Sequence, residues 1–114
     1  MDELILKLTD WGCDIPPTLE RFLNNKEFMI ECMKMVLDDK ALIELEDGLK
    51  EENIKKAFDA AHTLKGIYAN TGVIPLYDIA VKIVEPLRNG EIKGLDEYYQ
   101  ELMCKNKELT DILL

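Results

Sequence analysis

The chain of 114 residues contains no serine, a single histidine and a single tryptophan. A small acidic helical protein without serine cannot be an acyl carrier, because the prosthetic arm of such a carrier is attached to a serine hydroxyl at a helix start. One histidine among scattered acids also supplies no metal cage with ligand spacing. Acidic runs such as Glu44, Glu46, Asp47 and Glu51, Glu52 therefore read as solvated helix faces and first-turn charges that suit the helix dipole. Cysteine is scarce as well: Cys13, Cys32 and Cys104 match no zinc spacing and are odd in number. They are expected to be free, buried thiols in a reducing compartment.

Long apolar runs are missing too. The longest uncharged stretch lies between Lys65 and Asp78 and contains Asn, Thr, Gly and Pro, whereas a membrane span needs roughly 20 mostly apolar residues. The start, Met-Asp-Glu-Leu, has neither the basic region nor the apolar core of a secretory signal. A cytoplasmic location without membrane association is expected. Basic residues are in deficit, 14 against 23 acidic ones, for a net charge of −9. That excludes nucleic acid as the partner, since neutralising phosphates needs clustered Lys and Arg.

What is present is helical periodicity. With 47% hydrophobic and 32% charged residues the chain can bury a core and stay soluble. No repeat is visible, and no segment alternates with period two. Two short N-terminal helices are expected within residues 2–24, namely Asp2 to Thr9 and Thr18 to Asn24, separated by Asp14-Ile15-Pro16-Pro17. From Lys26 to Lys50, Phe28, Cys32, Met35, Leu42, Leu45 and Leu49 fall three, four or seven apart, which predicts one long helix ending near Gly48. Asn53 is placed to cap a helix over 53–71. Pro75 opens one over 75–89 carrying Tyr77, Ala80, Val81, Val84 and Leu87, with Pro86 expected to kink or fray its last turn. A last helix over 95–113 has Leu95, Tyr99, Leu102, Leu109 and Leu113 on one side. Short connections between four amphipathic helices predict an all-α, antiparallel up-down four-helix bundle, capped by the short N-terminal helices and forming a single domain over 1–114.

The histidine can be placed on this scaffold. At about 100° per residue, Ala57, Ala60, Ala61, Leu64, Ile67, Tyr68 and Thr71 gather on one side of the 53–71 helix and form its core stripe. His62 falls on the opposite side with Lys55, Phe58, Asp59, Lys65, Gly66, Ala69 and Asn70, a mixed face that belongs in solvent. Lys65 and Gly66, at i+3 and i+4, are the neighbours of His62 one turn on. The lysine can offer its ammonium to an anion on the ring. A mid-helix glycine is about 1 kcal/mol less favourable than alanine, and one reason to place it there is close approach by another macromolecule's backbone. Phe58 adds apolar area to the same face. A neutral imidazole is a nucleophile suited to taking up a phosphoryl group, a reaction that depends mainly on positioning and charge stabilisation. From this chain only Lys65 is at hand to help. A metal and an acidic pocket would have to come from the partner, and no cofactor of the chain's own is expected.

The run Ala61-His62-Thr63-Leu64-Lys65-Gly66, followed by Ala69-Asn70-Thr71-Gly72 and then Leu76, Ala80 and Glu85, resembles the signature of the histidine-containing phosphotransfer (HPt) domain family. Trp11 to Phe28 also resembles the helices that lead into that family's first long helix, so the likeness covers about Leu8 to Leu102. The resemblance implies a four-helix bundle whose exposed His62 accepts a phosphoryl group from the aspartate of one receiver domain and passes it to another, with Mg²⁺ supplied by the receiver. Lys65 would be the cation beside the phosphoryl group, and Gly66 the gap that admits the receiver. Phe58, Asp59, Lys55, Ala69 and Asn70 would surround the docking surface. Response-regulator receivers and a hybrid histidine kinase would be the partners of a monomeric carrier with no kinase or ATPase activity of its own. Pro86, Ile67 and Tyr68 depart from the pattern. The wheel sends Ile67 and Tyr68 to the core, so they should change packing only. An autophosphorylating kinase fits poorly, because Thr63 rather than an acidic residue follows His62 and no Gly-rich nucleotide-binding segment is present. A helical adaptor that binds receivers without transfer would use the same Phe58, Lys65 and Gly66 face.

Overall fold

A computed structural model describes residues 2–114. Its elements, in order, are α1 (Asp2–Trp11), α2 (Ile15–Arg21), α3 (Lys26–Val36), α4 (Lys40–Lys50), α5 (Ile54–Thr71), α6 (Ile74–Arg88) and α7 (Leu95–Leu113), with no strand among the described residues. Helices α4 to α7 are the predicted up-down bundle: α4 packs on α5, α5 on α6, α6 on α7, and α7 back on α4. Trp11 of α1 donates its indole N–H to Glu108 of α7 at 2.9 Å, and Arg21 of α2 reaches the last turn of α5. The N-terminal helices thus cover the end of the bundle at which α5 and α7 terminate.

The long helix expected over 26–50 is instead two, and phase explains why. On α3 the buried residues are Met29, Ile30, Met33 and Val36, while Phe28 and Met35 are 54% and 70% exposed. Continuing Met29, Met33 and Val36 as one helix would turn Lys40, Ile43 and Asp47 inward. The chain breaks at Leu37 to Asp39, and α4 restarts with Ala41, Leu42, Leu45 and Leu49 buried. Asp39 makes the restart possible, its carboxylate accepting from the Ala41 N–H at 2.9 Å. Helix α7 pins the joint from across the core: the Asn106 amide donates to the Leu37 carbonyl at 3.0 Å and the Tyr99 hydroxyl to the Leu42 carbonyl at 3.1 Å.

Gly48 does not stop α4. It lies buried within the helix where α5 crosses, and the αL position that ends the helix is taken by Glu52, at φ 54°. The short second helix starts earlier than expected, with Pro16 and Pro17 in its first turn, and ends at Arg21. Asn53 and Gly72 do cap the start and end of α5. Helix α6 runs through Pro86 for two more residues, then closes with the Glu91 N–H on the Pro86 carbonyl at 2.9 Å. Its buried face is Leu76, Ile79, Ala80, Ile83, Val84 and Leu87, leaving Tyr77 and Val81 half-buried. The predicted stripe of α7 is buried throughout. Of the three free thiols only Cys13 is buried; Cys32 is half-buried and Cys104 exposed, which corrects the expectation for both.

Candidate functional site

The site is one face of α5. Asn53 caps the helix by accepting from the Lys56 N–H at 3.1 Å. Ala57, Ala60, Ala61, Leu64, Tyr68 and Thr71 bury the opposite side, with Ile67 half-buried at its margin. A stripe so rich in alanine lets α4 come close, and it leaves His62 exposed on the outer face.

Around His62 the side chains are arranged in pairs. The imidazole stacks on the Phe58 ring one turn earlier, centroid to centroid 5.6 Å and 28° between planes. Phe58 is half-buried and packs against the core, so it contributes less free apolar surface than expected. Lys55 and Asp59 form an i, i+4 ion pair at 2.8 Å, and the Asp59 carboxylate holds the Lys55 ammonium above the usual lysine range through that hydrogen bond. Thr63 donates its hydroxyl back to the Asp59 carbonyl at 2.9 Å and so points away from the imidazole's chemistry.

One turn beyond His62, Lys65 is half-buried, and Gly66 is exposed with none of the described residues within 4 Å of where a Cβ would stand. Gly66 is therefore not demanded by packing inside this chain. Ala69 and Asn70 are exposed further along. All the residues named for this face thus lie on it: Lys55, Phe58, Asp59, His62, Lys65, Gly66, Ala69 and Asn70.

Two residues join the face that periodicity did not indicate. Arg88, at the end of α6, places its guanidinium over the Phe58 ring at 5.4 Å and pairs loosely with Glu85 at 3.8 Å. A third cation is thus present on this face besides Lys65 and the Asp59-paired Lys55. Arg21 of α2 donates to the carbonyls of Ala69 and Asn70 at 3.0 and 3.3 Å and to the Thr18 hydroxyl at 3.1 Å. It satisfies carbonyls that the end of α5 would leave orphaned. A helical wheel compares residues of one helix, and both arginines arrive from another. The only available signal was their position in the last turn of a helix.

Among the described residues no group of three or more His, Cys, Asp or Glu is gathered as a metal site. No helix of the structure is long and apolar enough to cross a membrane.

An exposed histidine on the second helix of an up-down bundle, with a lysine and a bare glycine one turn on, is the arrangement of a phosphotransfer domain. The family model of the Hpt domain matches residues 36–113, and the chain belongs to this family. Its members are phosphocarriers of phosphorelays, typically meet receiver domains, and lack kinase activity of their own. The match begins at the last residue of α3 and takes in the whole bundle α4 to α7. The likeness noted for Trp11 to Phe28 lies outside it. Comparison with curated proteins and with solved structures found no match.

Proposed function

We propose that the protein accepts a phosphoryl group on His62 from the aspartyl phosphate of one receiver domain and passes it to the aspartate of another. The observation that carries this reading is the exposed imidazole with Gly66 open a turn away, since a receiver's backbone can approach only where no side chain projects. Lys65 supplies a cation near the phosphoryl group. Gly66, Ala69 and Asn70 leave the C-terminal half of the face low, while Phe58 and the Lys55–Asp59 pair border its other half. The divalent ion arrives with the receiver, as the carboxylate of Asp59 on this side is already engaged by Lys55. A hybrid kinase loads the first receiver, and the carrier works as a cytoplasmic monomer.

The test is transfer from a phosphorylated receiver to wild type and to His62→Gln. Label on wild type alone supports the proposal. Equal labelling of both removes His62 from the role, and binding of the receiver with label on neither leaves a non-catalytic adaptor using the same face. Incubation with ATP alone should label neither protein.

A further inference from the structure

The stack of His62 on Phe58 is more than a border of the docking face. A histidine on an exposed helix face normally turns freely about its two side-chain torsions, and a reacting nitrogen that must be aimed is then rarely in place. Here the two rings sit one helical turn apart and lie nearly parallel at 5.6 Å. Phe58 is itself held: it is half-buried against the core, lines a shallow groove with Ile54, Lys55, Leu87 and Arg88, and has the Arg88 guanidinium over its ring at 5.4 Å. The chain of contact runs from the end of α6 through Phe58 to the imidazole.

Building on the phosphocarrier reading above, we propose that Phe58 is a positioning residue for phosphoryl transfer, holding the His62 ring in one orientation and facing the charge that ring acquires. The lone pair of one ring nitrogen forms the N–P bond while the P–O bond to the donor's aspartate breaks, and the carboxylate leaves with that electron pair. The other nitrogen keeps its proton, so the ring turns from neutral imidazole to phosphorylated imidazolium. Onward transfer to the next aspartate reverses each of these changes. An aromatic face is attracted to a cation more than to a neutral ring, so the stack strengthens as the N–P bond forms. A leucine at position 58 would fill the same groove without offering that face.

The experiment uses phosphoramidate, a small donor that releases ammonia as its N–P bond breaks and needs no docking surface. Phe58→Leu should take up phosphoryl from it roughly 2- to 10-fold more slowly than wild type, and Phe58→Tyr should restore the rate. Because His62 is the only histidine, its two ring C–H resonances can be followed by NMR in each variant. They should move downfield in Phe58→Leu as ring-current shielding is lost, and stay shielded in Phe58→Tyr, with helical circular dichroism unchanged in both. If Phe58→Leu reacts with phosphoramidate at the wild-type rate, the positioning role is overturned, and a defect confined to the receiver reaction would make Phe58 a docking contact. If wild type takes nothing from any phosphorylated receiver, the carrier reading falls, while the ring shifts and phosphoramidate rates still decide the role of Phe58.

Discussion

Gly48 and Ala57 touch at the crossing of α4 and α5: a Cβ built on Gly48 would lie 2.7 Å from the Ala57 nitrogen and 2.9 Å from its Cα. Those are backbone atoms of the helix that carries His62, and they cannot swing aside as the tip of a long side chain can. Gly48→Ala gains about 1 kcal/mol of helix propensity but forces the two helices apart, an overpacking that typically costs about 1–3 kcal/mol. The variant should be destabilised overall, seen as a lower urea midpoint at unchanged slope. A higher midpoint would mean that α4 can shift freely against α5.

Arg21 ties α2 to the end of the functional helix through the carbonyls of Ala69 and Asn70. Arg21→Met keeps much of the aliphatic stem and removes the donors and the positive charge at a helix C-terminus, an arrangement worth about 1 kcal/mol. Global stability should fall by about that amount. Hydrogen exchange should quicken first at Gly72 and Val73, whose N–H groups bond to the Tyr68 carbonyl in the same cap. Uniform exchange across α5 in the variant would show that the cap is held without Arg21.

Cys13 is buried, and that burial pushes its thiol up to about 12 from 9.0. The folded state therefore keeps a proton that the unfolded chain releases above about pH 9, so stability must fall as pH rises from there towards the folded value. Burial raises the Tyr68 hydroxyl in the same sense, aided by Asp39 and Tyr99. Each such group contributes a slope of at most about 1.4 kcal/mol per pH unit. Urea midpoints measured between pH 8 and 10.5 should decline less steeply in Cys13→Ala than in wild type, whatever offset the lost packing adds. Parallel curves would mean that Cys13 ionises without unfolding. In the folded protein iodoacetamide should modify the exposed Cys104 and spare Cys13.

The stretch from Asn53 to Gly72 was legible because every signal in it agrees. Ala57, Ala60, Ala61, Leu64 and Tyr68 are in phase, the cap and the terminating glycine stand at the two ends, and His62 then has only one side to occupy. Residues 26–50 were not legible for the opposite reason. Two apolar sets compete on α3, and the wrong one, Phe28, Cys32 and Met35, is in phase with Leu42, Leu45 and Leu49, so a single stripe fits the letters better than the true pair of stripes. The deciding residue was Asp39, which prefers to cap a helix rather than continue one. Gly48 misled in a different way: glycine marks both helix ends and close approaches, and only the presence of α5 tells them apart. Arg21 and Arg88 act on residues 48 and 30 positions away, at Ala69 and Phe58, distances at which helical periodicity carries no information.

Gly66 separates folding from function by opposite signs. None of the described residues comes within 4 Å of a Cβ there, so a side chain meets no clash and removes the flexibility penalty of glycine in a helix. Gly66→Ala should raise stability by up to about 1 kcal/mol, and Gly66→Gln should raise it by somewhat less. If the bare backbone serves a docking receiver, the same substitutions should slow transfer in order of size, slightly for alanine and at least roughly 10-fold for glutamine, a loss of about 1.4 kcal/mol in transition-state stabilisation. Reaction of His62 with a small phosphoryl donor should be affected far less, since a small donor does not need the gap. Wild-type transfer kinetics in Gly66→Gln would show that the receiver does not approach over this turn, and would move the docking surface towards Phe58 and Arg88.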